Sequence, residues 1–389
     1  MIRRIFHPIG QGAFYSEQHE NFNIVYDCGT EWKNRGKKSI DKMIKQSFGK
    51  DDEIDILFIS HFDYDHVSKI KVLRDHVKTI KKVVMPLLLE SEKNLLLNIY
   101  RIMPSFSINN LISNPEEFFG KNTIILRIKL SESISDFINR DTQNIDEIQG
   151  GTLPSGVPLE KRFSNYSWIY IPHNHKFEIR FEDLKEALES KGFDVDKLQN
   201  DSKYTLDEIE KDIKFSKTKG GKLFKEVYDK LDGKINQNSM VVYSGVKSNN
   251  SLHFYKHNSL YLDRHNPKFY GHSRHNFQSY YWLYKKKCVS CIYTGDTDLN
   301  VVDIKLIYQP YWDSVGTIQI PHHGDGHSFN KDVLDDRYFT CPISVGKNNS
   351  YGHPSYRVIS DILNQDSCPV LITEDLDSRF IETIKTRNI

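Results

Sequence analysis

Four side chains of the types that bind divalent cations lie within six residues of one another in the N-terminal part of the chain. They are His61, Asp63, Asp65 and His66, and they directly follow the largely apolar residues 54–59. A run of this length is typical of a buried strand. Imidazoles and carboxylates are costly to gather at one place unless a cation compensates them. The segment therefore predicts a metal site at the end of a strand, and the alternative is a polar turn without a ligand.

Two later segments repeat this order of an apolar strand followed by ligand-type residues. Asp296 follows residues 291–293 after a Thr-Gly pair, and His322 and His323 follow residues 317–320 after a proline. Taken alone, a Gly-Asp pair is more often a turn, and a histidine pair is compatible with a surface loop. Three strand ends that supply histidines and carboxylates together predict a two-metal hydrolytic centre, in which Asp296 bridges cations about 3.5–4 Å apart.

The elements that must position these residues indicate an α/β fold. Apolar residues at helical spacing predict helices at 39–48 and 67–76, and apolar β-type runs predict strands at 22–26 and 83–86. Strands that are followed by a ligand loop and a helix place the ligands at the carboxyl ends of the strands. Further strands are predicted at residues 240–243, 280–284, 288–293, 317–320 and 339–345.

The middle of the chain has a less regular pattern. Helices are predicted at 91–102, 181–191 and 222–231, and they are separated by polar, lysine-rich segments. We interpret residues 1–389 as one domain that contains a large, mainly helical insertion at about 87–234.

Composition narrows the class of protein. The 389 residues include 22 Phe and 21 Tyr, which is enough for a substantial core, and the net charge of +1 gives no overall attraction to nucleic acid. No stretch is apolar and long enough to span a membrane, and the N-terminus lacks the apolar core of a secretory signal. Five scattered cysteines fit a reducing compartment. These features predict a cytoplasmic protein that does not contact a membrane.

The order of these motifs resembles the metallo-β-lactamase superfamily of metal-dependent hydrolases. Within it, the chain is most similar to the hydrolase-like domain of the competence protein ComEC and its stand-alone relatives. The resemblance implies an α/β fold that forms a four-layer αβ/βα sandwich. The matching segments are residues 10–12, 26–29, 60–66, 238–242, 293–296, 321–324 and 344–354.

The resemblance also implies roles for the clustered residues. His61 and Asp63 would bind a first cation, Asp65 and His66 would bind a second, and Asp296 would bridge the two. Asp65 would in addition orient the attacking hydroxide. The superfamily usually has histidine at the position of Asp63, so this first site is richer in oxygen, which shifts metal preference from zinc toward manganese or magnesium.

Other roles implied by the resemblance concern the second site and the substrate. We favour His322 as the residue that completes the second site, which leaves His323 as a catalytic residue at the substrate, and the reverse assignment stays open. His353 would act near the leaving group as a general acid or an electrostatic clamp. Its alternative is a histidine that is hydrogen-bonded in a turn. Asp27 would support the metal-binding loop from behind.

The chain lacks the histidine that the superfamily normally adds to the first site from the region before Asp296. The candidate replacements are His173, His175, Asn236 and Asn238, and a structural role is the alternative for both histidines. One or two divalent ions are therefore expected, with zinc or manganese as the first candidates and magnesium as the third.

Substrate contacts are predicted at Asn238, Lys347 and Asn349. A separate segment rich in histidine, tyrosine and basic residues predicts a polar face that contacts RNA or DNA, and its alternatives are a metal site or packing against the sandwich. The histidines of this segment are His253, His257, His265, His272 and His275.

The function implied is that of a metal-dependent phosphodiesterase or nuclease, which acts on DNA, RNA or a nucleotide through a metal-bound hydroxide. One alternative is a hydrolase of small esters or small phosphodiesters. Another is a binding or assembly module of a defence or DNA-processing complex with little catalysis, whose protein partner would contact the insertion.

Overall fold

Two β-sheets face each other across the middle of the molecule, and helices cover the outer face of each. The computed structural model describes residues 1–31, 37–102, 106–131, 140–176, 178–201, 226–227, 238–247, 252–258, 288–334 and 337–386. The strands are, in chain order, β1 (Ile2–Phe6), β2 (Tyr15–Gln18), β3 (Asn23–Tyr26), β4 (Glu53–Phe58), β5 (Thr79–Pro86), β6 (Ile124–Ile128), β7 (Gln143–Asn144), β8 (Gly151–Leu153), β9 (Leu159–Arg162), β10 (Ser167–Lys176), β11 (Asn238–Val246), β12 (Leu252–Asn258), β13 (Ser290–Tyr293), β14 (Val315–Ile318), β15 (Thr340–Ser344), β16 (Cys368–Ile372) and β17 (Phe380–Thr386). The helices are α1 (Lys37–Ser47), α2 (Tyr64–Val67), α3 (Ile70–Arg74), α4 (Glu90–Ile102), α5 (Phe106–Ser113), α6 (Pro115–Phe119), α7 (Glu178–Glu189), α8 (Val195–Asn200), α9 (Ile304–Ile307) and α10 (Tyr356–Asn364).

Both sheets are mixed, and their parallel parts carry the predicted ligand loops. The first sheet has the order β12-β17-β1-β2-β3-β4-β5-β6-β8, and the second has the order β16-β15-β14-β13-β11-β10-β9-β7. Neighbours run parallel from β3 to β8 in the first sheet and from β16 to β13 in the second. Because parallel strands end at the same edge of a sheet, the loops after β3 and β4 lie together, and so do those after β13 and β14.

The apolar core divides into three clusters that define the layers. In β4, Ile56 and Phe58 belong to the cluster between the sheets, whereas Leu57 belongs to the cluster beneath the helices of the first sheet. Strands that are buried on both faces are apolar throughout, which explains the near-continuous run in the sequence. The third cluster joins the outer face of the second sheet, through residues such as Ile318, to Ile359 of α10. Helix, sheet, sheet and helix therefore form four layers, and the predicted α/β sandwich is confirmed.

Several predicted elements are confirmed within small shifts of their ends. The helix predicted at 39–48 is α1, and the helix predicted at 91–102 is α4. The helix predicted at 67–76 is instead two short helices, α2 and α3, which are separated by Ser68 and Lys69. Among the described helices, none has both the length and the apolar composition needed to cross a membrane. The predicted strand 280–284 lies outside the described residues.

Part of the predicted insertion belongs to the two sheets. Residues 124–176 supply β6 and β8 to the first sheet, and β7, β9 and β10 to the second. Strands β7, β8 and β9 are short, and β9 has the charged sequence Leu-Glu-Lys-Arg, so the sequence pattern does not reveal them. Strands β6 and β10 contain apolar runs that the sequence analysis did not identify as strands. Helices α4, α5, α7 and α8 contribute to the cluster beneath the first sheet. Most of residues 202–237 lies outside the described residues, and the edges of the insertion stay a prediction.

A group of fully buried charged residues joins β1, β2 and β17 between the sheets. Arg4 donates from Nε to Glu17 Oε1 at 2.8 Å and from Nη1 to Glu382 Oε2 at 2.6 Å. The remaining carboxylate oxygens accept hydrogen bonds from Ser244 Oγ at 2.7 Å and from Thr317 Oγ1 at 2.6 Å. Burial would raise the pKa of Glu17, but Arg4 and its other partners lower the pKa to about 2. The charges of this group, the Arg4 cluster, are therefore compensated by its own side chains.

Candidate metal centre

The loop that follows β4 is fixed by backbone contacts with the segments after β1 and β3. Ala13 N donates to Asp65 O at 3.1 Å, and Cys28 N donates to His66 O at 2.8 Å. The backbone of Gly29 comes so close that a Cβ atom there would lie 2.4 Å from the carbonyl carbon of Asp65. A glycine is therefore required at this position. These contacts explain why the glycine-containing segments 10–12 and 26–29 occur together with the ligand-type residues, from which they are distant in sequence.

Asp27 supports the same loop with its side chain, as predicted. Its Oδ1 accepts a hydrogen bond from Ser60 N at 2.7 Å, and its Oδ2 accepts one from Ser60 Oγ at 2.6 Å. His66 Nδ1 also donates to Asp27 Oδ2, at 2.9 Å. Ser60 Oγ in turn lies 2.8 Å from His61 Nδ1. One buried carboxylate thereby orients two imidazoles, because their outer nitrogens are occupied.

The loop that carries Asp296 is joined to the histidine pair of the second sheet. Gln319 Oε1 accepts from the backbone nitrogens of Thr294 and Gly295, at 2.8 and 2.9 Å. His322 N donates to Gly295 O at 3.2 Å. These contacts hold the ends of β13 and β14 in one fixed arrangement, which faces the loop after β4.

The Asp296 carboxylate lies between three imidazoles and presents a different oxygen to each side. His66 Nε2 lies 3.1 Å from Oδ1. His61 Nε2 and His322 Nε2 lie 3.6 and 3.8 Å from Oδ2. A carboxylate with one oxygen toward each of two groups has the geometry of a bridge between two cations.

The two other predicted carboxylates flank this arrangement. Asp63 Oδ2 lies 3.6 Å from His61 Nε2. Asp65 Oδ2 lies 2.8 Å from His323 Nε2 and 3.9 Å from His66 Nε2. The structure thus brings all seven predicted positions of the centre to one place, with Asp63 on the side of His61 and Asp65 on the side of His66.

Potential metal-binding atoms form three groups in the described part of the chain. Within each group the atoms lie within 4.8 Å of one another. The groups are His61, His66 and Asp296; then Asp65, His66 and His323; and finally His322, Asp325 and His353.

Four imidazoles of the centre share one orientation, with Nδ1 toward an outer partner and Nε2 toward the carboxylates. The outer partners are Ser60 Oγ for His61 (2.8 Å), the Asp27 carboxylate for His66 (2.9 Å), the Ser344 carbonyl for His323 (2.8 Å) and the Asp325 carboxylate for His322 (3.3 Å). Histidines that bind metal usually hold their other ring nitrogen in this way. The buried Nε2 atoms of His61 and His66 make no hydrogen bond within the described residues. The residues present therefore fit a divalent cation.

The electrostatics of the centre also favour a cation. Burial would raise the pKa of Asp296, but His66, His322 and His61 hold it well below its usual value. Burial would likewise raise the pKa of Asp65, which His66 and His323 lower to about 2. In turn, burial would lower the pKa of His66, but Asp296 and Asp65 raise it well above its usual value. The carboxylates therefore stay ionised and draw positive charge to the site.

His353 lies beside the histidine pair. Its ring centroid is 5.2 Å from that of His322 and 6.4 Å from that of His323. Its Nε2 is 4.0 Å from Asp325 Oδ1. Asn349 shapes the loop that carries it, because Asn349 Oδ1 accepts from His353 N at 3.0 Å and Nδ2 donates to His353 O at 2.7 Å. The loop thus brings His353 to the edge of the centre.

The remaining predicted positions lie elsewhere or outside the description. Lys347 is partly exposed and forms an ion pair with Asp375. His173 and His175 lie on β10 and belong to none of the three groups formed by the described residues. The backbone of Asn238 begins β11, but its side chain lies outside the described part of the chain, as do Asn236, His265, His272, His275 and the side chains of His253 and His257.

Sequence reasoning missed the outer partners of two histidines. Asp325 follows His322 by three residues, and this spacing was a signal, because it returns a side chain toward the first residue of a turn. Ser344 contributes only a backbone carbonyl, which no sequence pattern reports.

The comparisons with known proteins are consistent with this geometry. The sequence model of the Metallo-beta-lactamase superfamily matches residues 13–142. Among curated proteins, none matches the chain. The solved structures that are similar include the metallo-beta-lactamase fold protein YhfI from Bacillus subtilis, with 12% identity, a TM-score of 0.21, and coverage of 46% of this chain and 55% of that chain. They also include human tRNase Z, short form, with 11% identity, a TM-score of 0.25, and coverage of 45% of this chain and 61% of that chain.

The alignments thus span little more than half the length of either solved structure. The sequence match ends at residue 142, and Asp296 and the histidine pair lie beyond it. Residues 13–142 thus match the sequence model of the superfamily, and the two-sheet α/β sandwich is consistent with the metallo-β-lactamase fold.

Proposed function

We propose that the protein is a metal-dependent phosphodiesterase that acts on DNA, RNA or a nucleotide, and that it is related to the ComEC-type hydrolase-like domains. The observation that carries the proposal is the convergence of four inward-facing Nε2 atoms and three carboxylates at the ends of strands from both sheets. Divalent cations at such a place supply Lewis-acid activation of water and neutralise the charge that develops on a phosphoryl group.

The residues divide between two cation positions on either side of Asp296. His61 and Asp63 serve the first position together with Asp296 Oδ2, which lies 3.6 Å from His61 Nε2. Asp65 and His66 serve the second position together with Asp296 Oδ1, which lies 3.1 Å from His66 Nε2. Imidazoles together with carboxylates suit zinc or manganese better than magnesium.

Divalent cations in the centre would favour an anionic substrate through direct contact. The three carboxylates that face the cations contribute −3, the buried carboxylates of Asp27 and Asp325 behind the histidines contribute −2, and two divalent cations would contribute +4. The centre would therefore carry −1 when the imidazoles are neutral, so attraction of an anion depends on contact with a cation. A phosphodiester, which is negatively charged, gains from such a contact, whereas a neutral carboxylic ester gains much less.

Asp65 is the carboxylate best placed to act on the attacking water. Its side chain is 14% exposed, against 4% for Asp63 and 5% for Asp296. It reaches the opening of the site while its Oδ2 stays 2.8 Å from His323 Nε2. Asp65 would therefore orient the water in addition to serving the second cation position, and the two more deeply buried carboxylates would serve the cations only.

His353 acts on the side of the leaving group. It lies at the edge of the centre, beside His322, with its Nε2 near the Asp325 carboxylate. From there its imidazolium donates a proton to the departing oxygen or stabilises its charge. Asn349 contributes indirectly, because its amide is hydrogen-bonded to the backbone of His353. For Lys347 and Asn238, contact with the substrate stays a prediction.

An exposed aromatic residue supports a substrate that contains bases. Tyr356 begins α10, three residues after His353, and it is 81% exposed. Ser355 N donates to Gly324 O at 2.8 Å, which connects the start of this helix to the turn of the histidine pair. An exposed tyrosine near such a site provides a face on which a nucleobase stacks.

Hydrolysis assays test the proposal directly. Purified full-length protein is assayed with Mn²⁺, Zn²⁺ or Mg²⁺ on single-stranded DNA, duplex DNA, RNA and bis-p-nitrophenyl phosphate, and p-nitrophenyl acetate serves as the ester comparison. We expect turnover of at least one phosphodiester that chelation abolishes and that Asp65→Ala reduces at least about 10³-fold. Asp313→Ala, which removes a carboxylate that is 99% exposed, is the matched control and keeps full activity. Turnover of none of the phosphodiesters would contradict the proposal.

A further inference from the structure

We infer that both members of the histidine pair bind cations, His322 at the first position and His323 at the second. His322 would then replace the histidine that the superfamily supplies to the first position and that this chain lacks. The inference deepens the proposed function and rests on the same metal centre, although it concerns cation binding and not turnover.

The backbone of the pair is unusual in a way that brings both rings to the same place. His322 has φ of 46° and His323 has φ of 55°, so two consecutive residues that are not glycine adopt the left-handed conformation. This conformation is uncommon for such residues and persists where the surrounding structure enforces it. In an extended strand, neighbouring side chains point to opposite faces. Here the ring centroids of the pair are 5.9 Å apart, and both Nε2 atoms lie near carboxylates of the centre.

The two histidines face different sides of the centre. His322 Nε2 lies 3.8 Å from Asp296 Oδ2, the oxygen that also faces His61. His323 Nε2 lies 2.8 Å from Asp65 Oδ2, in the group that Asp65 and His323 form with His66. The pair therefore divides between the two positions and does not compete for one.

Each ring also has a polar neighbour at its outer nitrogen. The Asp325 carboxylate lies at ion-pair distance, 3.3 Å, from His322 Nδ1, and the carbonyl of Ser344 is hydrogen-bonded to His323 Nδ1 at 2.8 Å. The contact of His323 matches the hydrogen bond by which Asp27 holds His66 on the opposite side of the centre. Outer partners of this kind fix the ring so that Nε2 presents a lone pair to the cation.

The turn that carries the pair is rigid and is coupled to its neighbours. Gly324 has φ of 82°, and a Cβ atom there would lie 2.7 Å from Pro354 Cβ. His322 N is bonded to Gly295 O. The candidate replacements on β10, His173 and His175, belong to none of the groups formed by the described residues. Among the described residues, His322 Nε2 is thus the imidazole nitrogen near Asp296 Oδ2 in addition to His61 Nε2, and His322 also belongs to a separate group with Asp325 and His353.

Calorimetric titration of chelator-treated, full-length protein with Mn²⁺ tests the inference without any substrate. Wild type is expected to bind two cations. His322→Ala and His323→Ala are each expected to lose one, or to bind it at least 100-fold more weakly. His327→Ala is the matched control, because it removes an exposed imidazole from the same segment and should keep two cations. Binding of two cations with wild-type affinity by His322→Ala or by His323→Ala would overturn the inference.

Double substitutions identify which position each histidine serves. Adding His322→Ala to His61→Ala should cost no further cation, because both act at the first position, whereas adding it to Asp65→Ala should abolish binding of both. Retention of one cation by the His322→Ala, Asp65→Ala protein would also overturn the inference. A cooperative unfolding transition in chelator shows that each variant is folded. If an alanine variant is not folded, His322→Gln or His323→Gln is used in its place.

Asp325→Asn supplies an independent arm that leaves both imidazoles in place. It should weaken the same cation as His322→Ala, by about 10- to 100-fold, and should leave the other unchanged. The outcomes of the cation-binding experiment and of the turnover assay can be distinguished from each other. A protein that binds two cations as described and cleaves no phosphodiester would refute only the proposed function, whereas an active protein whose His322→Ala form keeps both cations would refute only this inference.

Discussion

The Arg4 cluster and the candidate metal centre are two buried groups of charged residues in which the carboxylates are stabilised in different ways. In the Arg4 cluster a guanidinium lies between Glu17 and Glu382, and hydroxyl groups occupy further carboxylate oxygens. In the metal centre, the imidazoles have outer partners on Nδ1 and turn Nε2 toward ionised carboxylates. The first group contains its own cation. The second is arranged for a cation that comes from solution.

The comparison shows that burial of charge does not by itself mark a functional site. Both groups are buried, and both hold carboxylates whose pKa lies below its usual value. They differ in that the carboxylates of the Arg4 cluster are bonded to a guanidinium and to hydroxyl groups, whereas the inward-facing Nε2 atoms of His61 and His66 make no hydrogen bond within the described residues. Removal of one partner should therefore destabilise the Arg4 cluster, whereas removal of one residue from the metal centre should mainly abolish function.

The largest expected effect is that of Asp65→Ala. Loss of the carboxylate that orients water should reduce phosphodiester turnover at least about 10³-fold. Because His66 and His323 stabilise the ionised carboxylate, the free energy of unfolding measured in chelator should fall, but by less than in Arg4→Met. A steady-state assay and denaturant unfolding of the same preparation measure both. A variant that unfolds easily and keeps its turnover would reverse the comparison.

Arg4→Met should have the opposite profile. It leaves Glu17 and Glu382 buried without their cation, so the free energy of unfolding should fall by about 3–5 kcal/mol. The ratio of cations bound per folded chain should not change. Arg3→Met is the matched control, because Arg3 precedes it on β1 and is exposed, and it should cost little. A loss below about 1 kcal/mol in Arg4→Met would show that the cluster does not stabilise the sandwich.

Acid should act on the Arg4 cluster through Glu17. The pKa of this carboxyl is about 2 in the folded protein, against 4.5 ordinarily. Its stabilising effect is therefore complete above pH 4.5 and is lost as the pH falls from 4.5 toward 2, with a change of roughly 3 kcal/mol. Unfolding of chelator-treated wild type and Glu17→Gln across this interval measures the difference. If the free energies of unfolding of the two proteins depended on pH in the same way, Glu17 would not be stabilised by Arg4 as described.

Asp27→Asn should have a smaller effect, and one specific to the metal centre. Asp27 holds the outer nitrogen of His66 and the Ser60 backbone, so its loss should weaken cation binding by about 10- to 100-fold. Asp55→Asn is the matched control, because Asp55 is also buried and accepts a hydrogen bond from a backbone nitrogen, that of Asn23. Calorimetry with Mn²⁺ should separate the two variants. Equal affinities would leave Asp27 with a purely structural role.

Much of the centre could be predicted because histidines and aspartates that follow apolar strands are recognisable from the sequence. His61, Asp65 and His66 follow an apolar run, and parallel strands deliver such loops to one edge. The supporting role of Asp27 was also predicted and is confirmed by its contacts with Ser60 and His66.

Other features depend on geometry that residue types do not report. The left-handed backbone of His322 and His323 cannot be read from their identity, and so the sequence suggested a choice between them. The charged strand β9 gives no periodic signal, because pairing with β10 rather than an apolar face defines it. Asp325 follows His322 by three residues, a spacing that the sequence analysis did not use, and its carboxylate lies 3.3 Å from His322 Nδ1.

Anomalous diffraction from crystals of the manganese-loaded, full-length protein tests the central claim most directly. The account predicts two manganese peaks about 3.5–4 Å apart, one near each carboxylate oxygen of Asp296. Absence of manganese from this cluster in crystals that bind it elsewhere, or at saturating concentration, would contradict the claim that these buried residues form a metal centre.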